Sequence, residues 1–282
     1  MRKFQWIIIV VAAAAIFCLY DFGRIVPKNP KAPVASQVGA AMGAESHTHP
    51  ASLVDVLSKA KGSLSPAMQL RVTNLENSIT RGEIRQQRMR AYTSLATLWD
   101  SLGHIPIAAH YLGEKAKLEN SKNSLTFAAN LFLTHLQHTK DASIRAWEAE
   151  EAGELLQKAS VLDPQNDTIQ VALANSEVQG GNVMQGVQRL LKITAKDPEN
   201  IPANMLLGRL SVTSGQYDKA VQRLQTVVNQ QPDNTEALYF LAEAYKATGK
   251  KDKAIALFKR CKALVNNPDF SKEIDQYIKS FQ

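Results

Sequence analysis

"GQYDKAVQRL" (Gly215 to Leu224) returns 34 residues later as "GKKDKAIALF" (Gly249 to Phe258). Gly, Asp-Lys-Ala and an apolar pair recur at the same offsets, so one helix start is written twice. The recurrence sets a ruler for the rest of the chain. Pro164, Pro198 and Pro232 stand 34 and 34 apart, each inside a helix-breaking stretch: "LDPQN", "KDPEN" and "QPDN". Gly181, Gly215 and Gly249 keep the same step, so each unit reads as a helix, a Gly turn and a second helix ending near the Pro.

With Thr235 as position 1, position 7 is Leu241, 8 is Ala242, 11 is Tyr245, 20 is Ala254 and 24 is Phe258. One period earlier the same places hold Leu207, Gly208, Ser211, Ala220 and Leu224. Another period back they hold Leu173, Ala174, Glu177, Gly186 and Leu190. A fourth unit starts at Met89, with Tyr92, Leu95, Ala96, Trp99, Gly103, Ala108 and Leu112. The small residues Ala96 and Ala108, Ala174 and Gly186, Gly208 and Ala220, and Ala242 and Ala254 are expected to face each other where paired helices cross. Neither helix of a pair buries its apolar stripe alone, so units must stack.

These residues resemble the tetratricopeptide repeat family, whose signature runs Trp-x2-Leu-Gly-x2-Tyr, Ala, Phe, Ala, Pro. The resemblance implies an all-α fold, a right-handed α-solenoid of helix pairs. The expected pairs cover 89–268, divided as 89–122, 123–166, 167–200, 201–234 and 235–268. The 123–166 unit is irregular. "LTFAANLFLTHL" (Leu125 to Leu136) looks like its first helix and "AWEAEEAGELLQKASVLDP" (Ala146 to Pro164) like an early-starting second one. The link carries about ten extra residues, which requires longer helices or a bulging loop. Residues 51–88 are expected to form a leading helical cap, with one helix over Ser65 to Gln87 starting at Pro66. Residues 269–282 supply a C-terminal capping helix with Phe270, Ile274, Tyr277, Ile278 and Phe281 on one stripe.

Ahead of the repeats, a tail of residues 1–3 with Arg2 and Lys3 precedes a run without charge from Phe4 to Tyr20. Its 17 residues span roughly 25 Å against a bilayer core of about 30 Å, and including Phe22 closes the gap. Residues 4–22 are therefore expected to be a single transmembrane anchor, and 23–50, with Pro27, Pro30, Pro33 and Pro50, a flexible spacer. A cleaved signal peptide is the alternative; Phe17 before Cys18 argues against lipidation. The expected location of the repeats is the periplasm, tethered to a bacterial inner membrane, with the cytoplasmic face as the alternative.

Catalytic patterns fail one by one. The sequence has no phosphate-binding glycine loop and no His-Glu-x-x-His. Ser58 with Lys61 is a chance Ser-x-x-Lys. His47 with His49, and His135 with His138, lack the further ligands a metal site needs. Glu148, Glu150, Glu151 and Glu154 read as a solvated helix face. With Cys18 in an apolar run, a bridge to Cys261 is not expected, and no cofactor or metal is implied. The net charge of +7 is mild and no aromatic residues interleave with the basic ones, which argues against nucleic acid.

What remains is a protein-binding surface. In the family, first helices present positions 2, 5, 9, 12 and 13 to a groove. Carried over, the resemblance implies Val171, Asn175, Met205, Arg209, Tyr239, Glu243 and Lys246 as peptide contacts. Relatives that clamp a C-terminal carboxylate pair Lys with Asn at positions 5 and 9; Val171 and Met205 at position 5 depart from that. A second candidate is the basic edge of Lys250, Lys251, Lys253, Lys259, Arg260 and Lys262, suited to acidic protein or anionic lipid; Arg81, Arg85, Arg88 and Arg90 form another basic stretch. The chain resembles membrane-anchored repeat proteins that accompany secretion, envelope or cytochrome assembly machinery. The expected function is a non-enzymatic adaptor with protein or peptide partners, its oligomeric state open. The alternative is a periplasmic chaperone-like holder of exported clients.

Overall fold

A computed structural model describes residues 49–81 and 84–281. The expected tail, the anchor at 4–22 and nearly all of the spacer lie outside the described residues. Among those described, no helix is long and apolar enough to cross a membrane. Thirteen helices and no strand appear among them: α1 Leu53–Gly62, α2 Pro66–Arg81, α3 Arg85–Ser101, α4 Ile105–Glu119, α5 Lys122–His135, α6 Ala142–Leu162, α7 Asp167–Gln179, α8 Val183–Lys196, α9 Ile201–Thr213, α10 Tyr217–Gln230, α11 Thr235–Ala247, α12 Lys251–Val265 and α13 Pro268–Lys279. They fall into two compact units that divide within α8, one ending at Arg189 and the other starting at Leu190.

The punctuation seen in sequence has a hydrogen-bond basis. Asn166, Asn200 and Asn234 are N-caps whose side chains accept from Ile169, Ala203 and Ala237 backbone N–H at 3.3, 3.1 and 3.0 Å. At the turns, Gly103, Gly181, Gly215 and Gly249 all have φ between 74° and 92°, a region closed to most side chains. The next N–H then closes each helix end, Asn182 onto Glu177 O and Lys250 onto Tyr245 O, both at 2.8 Å.

Two expectations about the first unit change. The leading helix Ser65 to Gln87 is not one element: α2 ends at Arg81, and Arg85 to Gln87 open α3 behind Ile84 in extended backbone. A further helix, α1, is capped by Ser52 accepting from Asp55 N–H at 3.1 Å. Its Lys61 pairs with Glu76 of α2 at 2.6 Å, and Glu76 also accepts from Tyr111 of α4 at 3.1 Å. The extra residues of the irregular pair go into helix. Asp141 caps α6, which runs 21 residues against 14 in α8 and α10.

This first unit has two apolar cores. One gathers Val72, Tyr92, Leu95, Trp99, Ile107 and Tyr111, and the other Leu125, Phe132, Trp147, Leu155, Leu156 and Leu173. α6 corrects another expectation, because its carboxylates are not a uniformly solvated face. Glu148 is fully buried and bonds His135 Nδ1 at 2.9 Å and Thr139 Oγ1 at 3.1 Å. His135 is therefore committed to a carboxylate, and His138 lies beyond the helix end. Glu154 pairs with Lys117 of α4 at 2.9 Å.

Glu151 meets His110 Nδ1 at 3.0 Å. Burial works against its charge, yet the His110 hydrogen bond and the Lys117 ammonium hold its carboxyl below the usual range. A carboxylate lowered by folding adds stability above its unfolded pKa, and that stability is lost as pH falls through the folded value. The wild-type melting temperature is therefore expected to drop more steeply below about pH 4 than that of His110→Gln. Parallel melting curves across acid pH would remove this pair from the account.

In the second unit, position 24 is filled by Leu190, Leu224 and Phe258, all fully buried. Ala220, Ala237, Leu238, Leu241, Ala242 and Ala254 share one core with Leu224 and Phe258. A Cβ on Gly208 would lie 2.6 Å from Cγ of Leu224, the position 24 residue of its own repeat. Cys261 is a free, buried thiol whose pKa burial pushes up to about 12, so it is inert at neutral pH.

Candidate functional site

Both units carry sequence-selected groove residues. In the first, α7 holds Val171 and Asn175 half-buried, and Asn175 Oδ1 is a buried acceptor with no hydrogen-bond partner. In the second, α9 and α11 bring their candidates together. Met205 packs against the apolar core. Arg209 Nη1 reaches Glu236 Oε1 of α11 at 3.5 Å, tying the two helices. Tyr239, Glu243 and Lys246 share one face of α11, as spacings of four and three require. Tyr239 stacks edge-on against Phe258, with ring centroids 5.5 Å apart.

α13 brings two residues that the sequence placed only in a cap against the candidate groove residue Lys246. Lys246 Nζ sits 4.1 Å from the Tyr277 ring centroid and 5.4 Å from that of Phe281, and donates to the Tyr277 hydroxyl. The signal was present in the ruler. With Asp269 as position 1, Tyr277 is position 9 and Phe281 position 13, both groove positions of a further first helix. Glu243 Oε2 lies 3.4 Å from Lys246 Nζ, while Glu243 Oε1 is buried without a hydrogen-bond partner. Burial, and then the Glu243 charge, raise the pKa of both the Tyr239 and Tyr277 hydroxyls above the ordinary phenol range, so they remain neutral donors.

The basic edge divides into two parts. Arg260 pairs with Asp233 at 3.1 Å and Lys262 with Asp275 at 2.8 Å. Lys250 and Lys253 instead lie over the Tyr245 ring, with Nζ 5.7 and 5.4 Å from its centroid. Lys251 and Lys259 are exposed on α12. Arg85 donates to Leu118 O, and Arg88 Nε is buried without a partner. No group of three or more metal-ligating side chains occurs among the described residues.

One arrangement was invisible to the ruler. Glu177, at position 11 where an aromatic is usual, is buried and receives Arg189 Nη2 at 2.7 Å and Nε at 3.1 Å. Arg189 also reaches Gln170 at 2.7 Å, and Gln185 donates to Glu177 at 2.9 Å. One period on, Arg223 bonds Asn204 at 3.0 Å. In the last repeat the same positions are Leu238 and Leu257, an apolar replacement for the polar pair.

Comparison with known proteins agrees with this geometry. Residues 211–271 match the tetratricopeptide repeat family. A tetratricopeptide repeat protein from Parabacteroides merdae superposes with a TM-score of 0.50 at 17% identity, covering 80% of this chain and 88% of its own. MamA from Desulfovibrio magneticus RS-1 (0.47, 18% identity, 64% and 97% covered) and YrrB, described as having an unusual peptide-binding site (0.44, 16%, 66% and 91%), are also similar. No curated protein matches. The fold is thus one of stacked repeat-type helix pairs within each unit.

Proposed function

We propose that the repeats bind an extended or helical segment of a protein partner along the first-helix face, and that the chain is a non-enzymatic adaptor. The observation that carries this reading is a shared register. Asn175 Oδ1 and Glu243 Oε1, both at position 9, are buried acceptors without donors. Folding leaves such atoms unpaired only at a cost, which a partner's backbone or side-chain N–H offsets on binding. Arg209 is the position 9 residue of the intervening repeat in sequence.

The test separates binding from folding. Tyr239 and Met205 pack on the core and are left alone. Asn175→Ala with Glu243→Ala removes two unsatisfied acceptors together with the 3.4 Å Glu243–Lys246 pair, so the melting temperature is expected to change little. Partner recovery after mild crosslinking, with the full chain in its membrane, is expected to fall by about tenfold, the equivalent of one to two hydrogen bonds. Undiminished recovery moves binding off this face. A few partners at fixed ratio fit the adaptor; many unfolded exported proteins at low occupancy fit the chaperone-like reading.

The uncharged run from Phe4 to Tyr20 supports an inner-membrane tether with the repeats in the periplasm. A reporter fused after Gln282 that is active only outside the cytoplasm tests this. Activity of its cytoplasmic counterpart instead places the repeats inside.

A further inference from the structure

The two repeats quoted first differ in what stands at the start of their second helices. In the 201–234 repeat, Gln216 occupies the N-cap of α10 (φ −86°, ψ 58°) and its Oε1 accepts from Lys219 Nζ at 2.8 Å. In the last repeat, Lys250 occupies the N-cap of α12 in the same conformation (φ −84°, ψ 59°), and Lys253 stands where Lys219 stood. The neutral acceptor that satisfied one lysine has become a second ammonium. Ser211 has likewise become Tyr245, whose ring both ammoniums face while its hydroxyl bonds Gln225 at 3.1 Å. Neither Lys250 nor Lys253 has a carboxylate partner among the described residues, whereas Arg260 and Lys262 further along α12 do. Both lysines sit at a helix N-terminus, where the peptide dipole already repels positive charge and Asp252 offsets only part of it. The fold does not require this arrangement, because the preceding repeat makes the same turn without it.

We propose that Lys250, Lys253 and the N-terminus of α12 form a docking point for a carboxylate-rich segment of a partner protein. It rests on the adaptor reading and gives the chemistry of one partner. Two ammoniums held on one ring, beside backbone N–H groups not used within the helix, accept side-chain carboxylates one or two residues apart on an extended chain. Residues 248–253 carry no apolar side chain to enter a bilayer, so a protein segment fits better than a lipid surface.

Fluorescein-labelled deca-glutamate, titrated into the full chain in neutral detergent and followed by anisotropy, is the probe. Binding is expected to weaken as salt rises. Lys250→Glu with Lys253→Glu is expected to lower affinity by at least about tenfold, and Lys250→Gln alone, which copies the preceding repeat, by about threefold. The charge-matched pair Lys272→Glu with Lys279→Glu, both exposed on α13, is expected to stay within about twofold. Equal losses in the two pairs overturn the proposal in favour of net charge alone. No binding of the peptide, with vesicles of equal parts phosphatidylglycerol and phosphatidylcholine captured through Lys250 and Lys253, overturns it in favour of lipid. Loss of peptide binding in Asn175→Ala with Glu243→Ala, and not in the lysine variants, places the segment on the first-helix face. Failure of the docking point leaves the position 9 test of the adaptor untouched.

Discussion

Gly186→Leu is expected to destabilise the chain by about 3 kcal/mol or more, among the largest effects of any single substitution in the repeats. A Cβ at Gly186 would lie 2.6 Å from Ala174 O and 2.7 Å from Val178 Cγ2. The first of these is backbone, so α7 itself must move away from α8, and every contact of that pair is loosened together. Gly208→Leu meets the Leu224 side chain at 2.6 Å, which can change rotamer, so its cost is expected to be smaller, about 1–3 kcal/mol. Gly153→Ala is the control. Its nearest neighbour is Ser176 Oγ at 3.4 Å, an ordinary contact, and replacing a mid-helix glycine there is expected to add about 0.5–1 kcal/mol. Chemical denaturation of the three variants checks the order. If Gly186→Leu melts with wild type, α7 and α8 do not cross at positions 8 and 20.

Arg189→Met is expected to cost about 3 kcal/mol, because it strips both charged hydrogen bonds from buried Glu177 and leaves Gln185 as its remaining partner. The cost belongs to the orphaned carboxylate, not to the ion pair as such. The last repeat shows the apolar solution at the same three positions, with Leu238, Tyr245 and Leu257. Gln170→Leu, Glu177→Tyr and Arg189→Leu together are therefore expected to return stability to within about 1 kcal/mol of wild type. A triple variant as unstable as Arg189→Met would show that the pocket is shaped for the charges themselves.

The periodicity of Pro164, Pro198 and Pro232, the turn glycines and the small residues at positions 8 and 20 made the helix pairs legible, because each acts within its own turn or crossing. Gly at positive φ and Asn at an N-cap need only their immediate neighbours in sequence to do their work. The family resemblance marked Asn175 and Glu243 as candidate groove positions. It did not reveal that their oxygens are buried without donors, which depends on what surrounds them.

By itself, then, the sequence determined the all-helical repeat and its 34-residue spacing. The tertiary structure alone decided which charges are satisfied. Glu148 looked like part of a solvated run, but the length of α6 carries it inward onto His135 and Thr139. Lys262 and Lys253 looked alike on the basic edge, yet Asp275 of α13 neutralises one and the Tyr245 ring holds the other. Backbone punctuation is encoded over a few residues. The fate of a charge is set by side chains 13, 19 or 41 residues away, brought near only when helices pack.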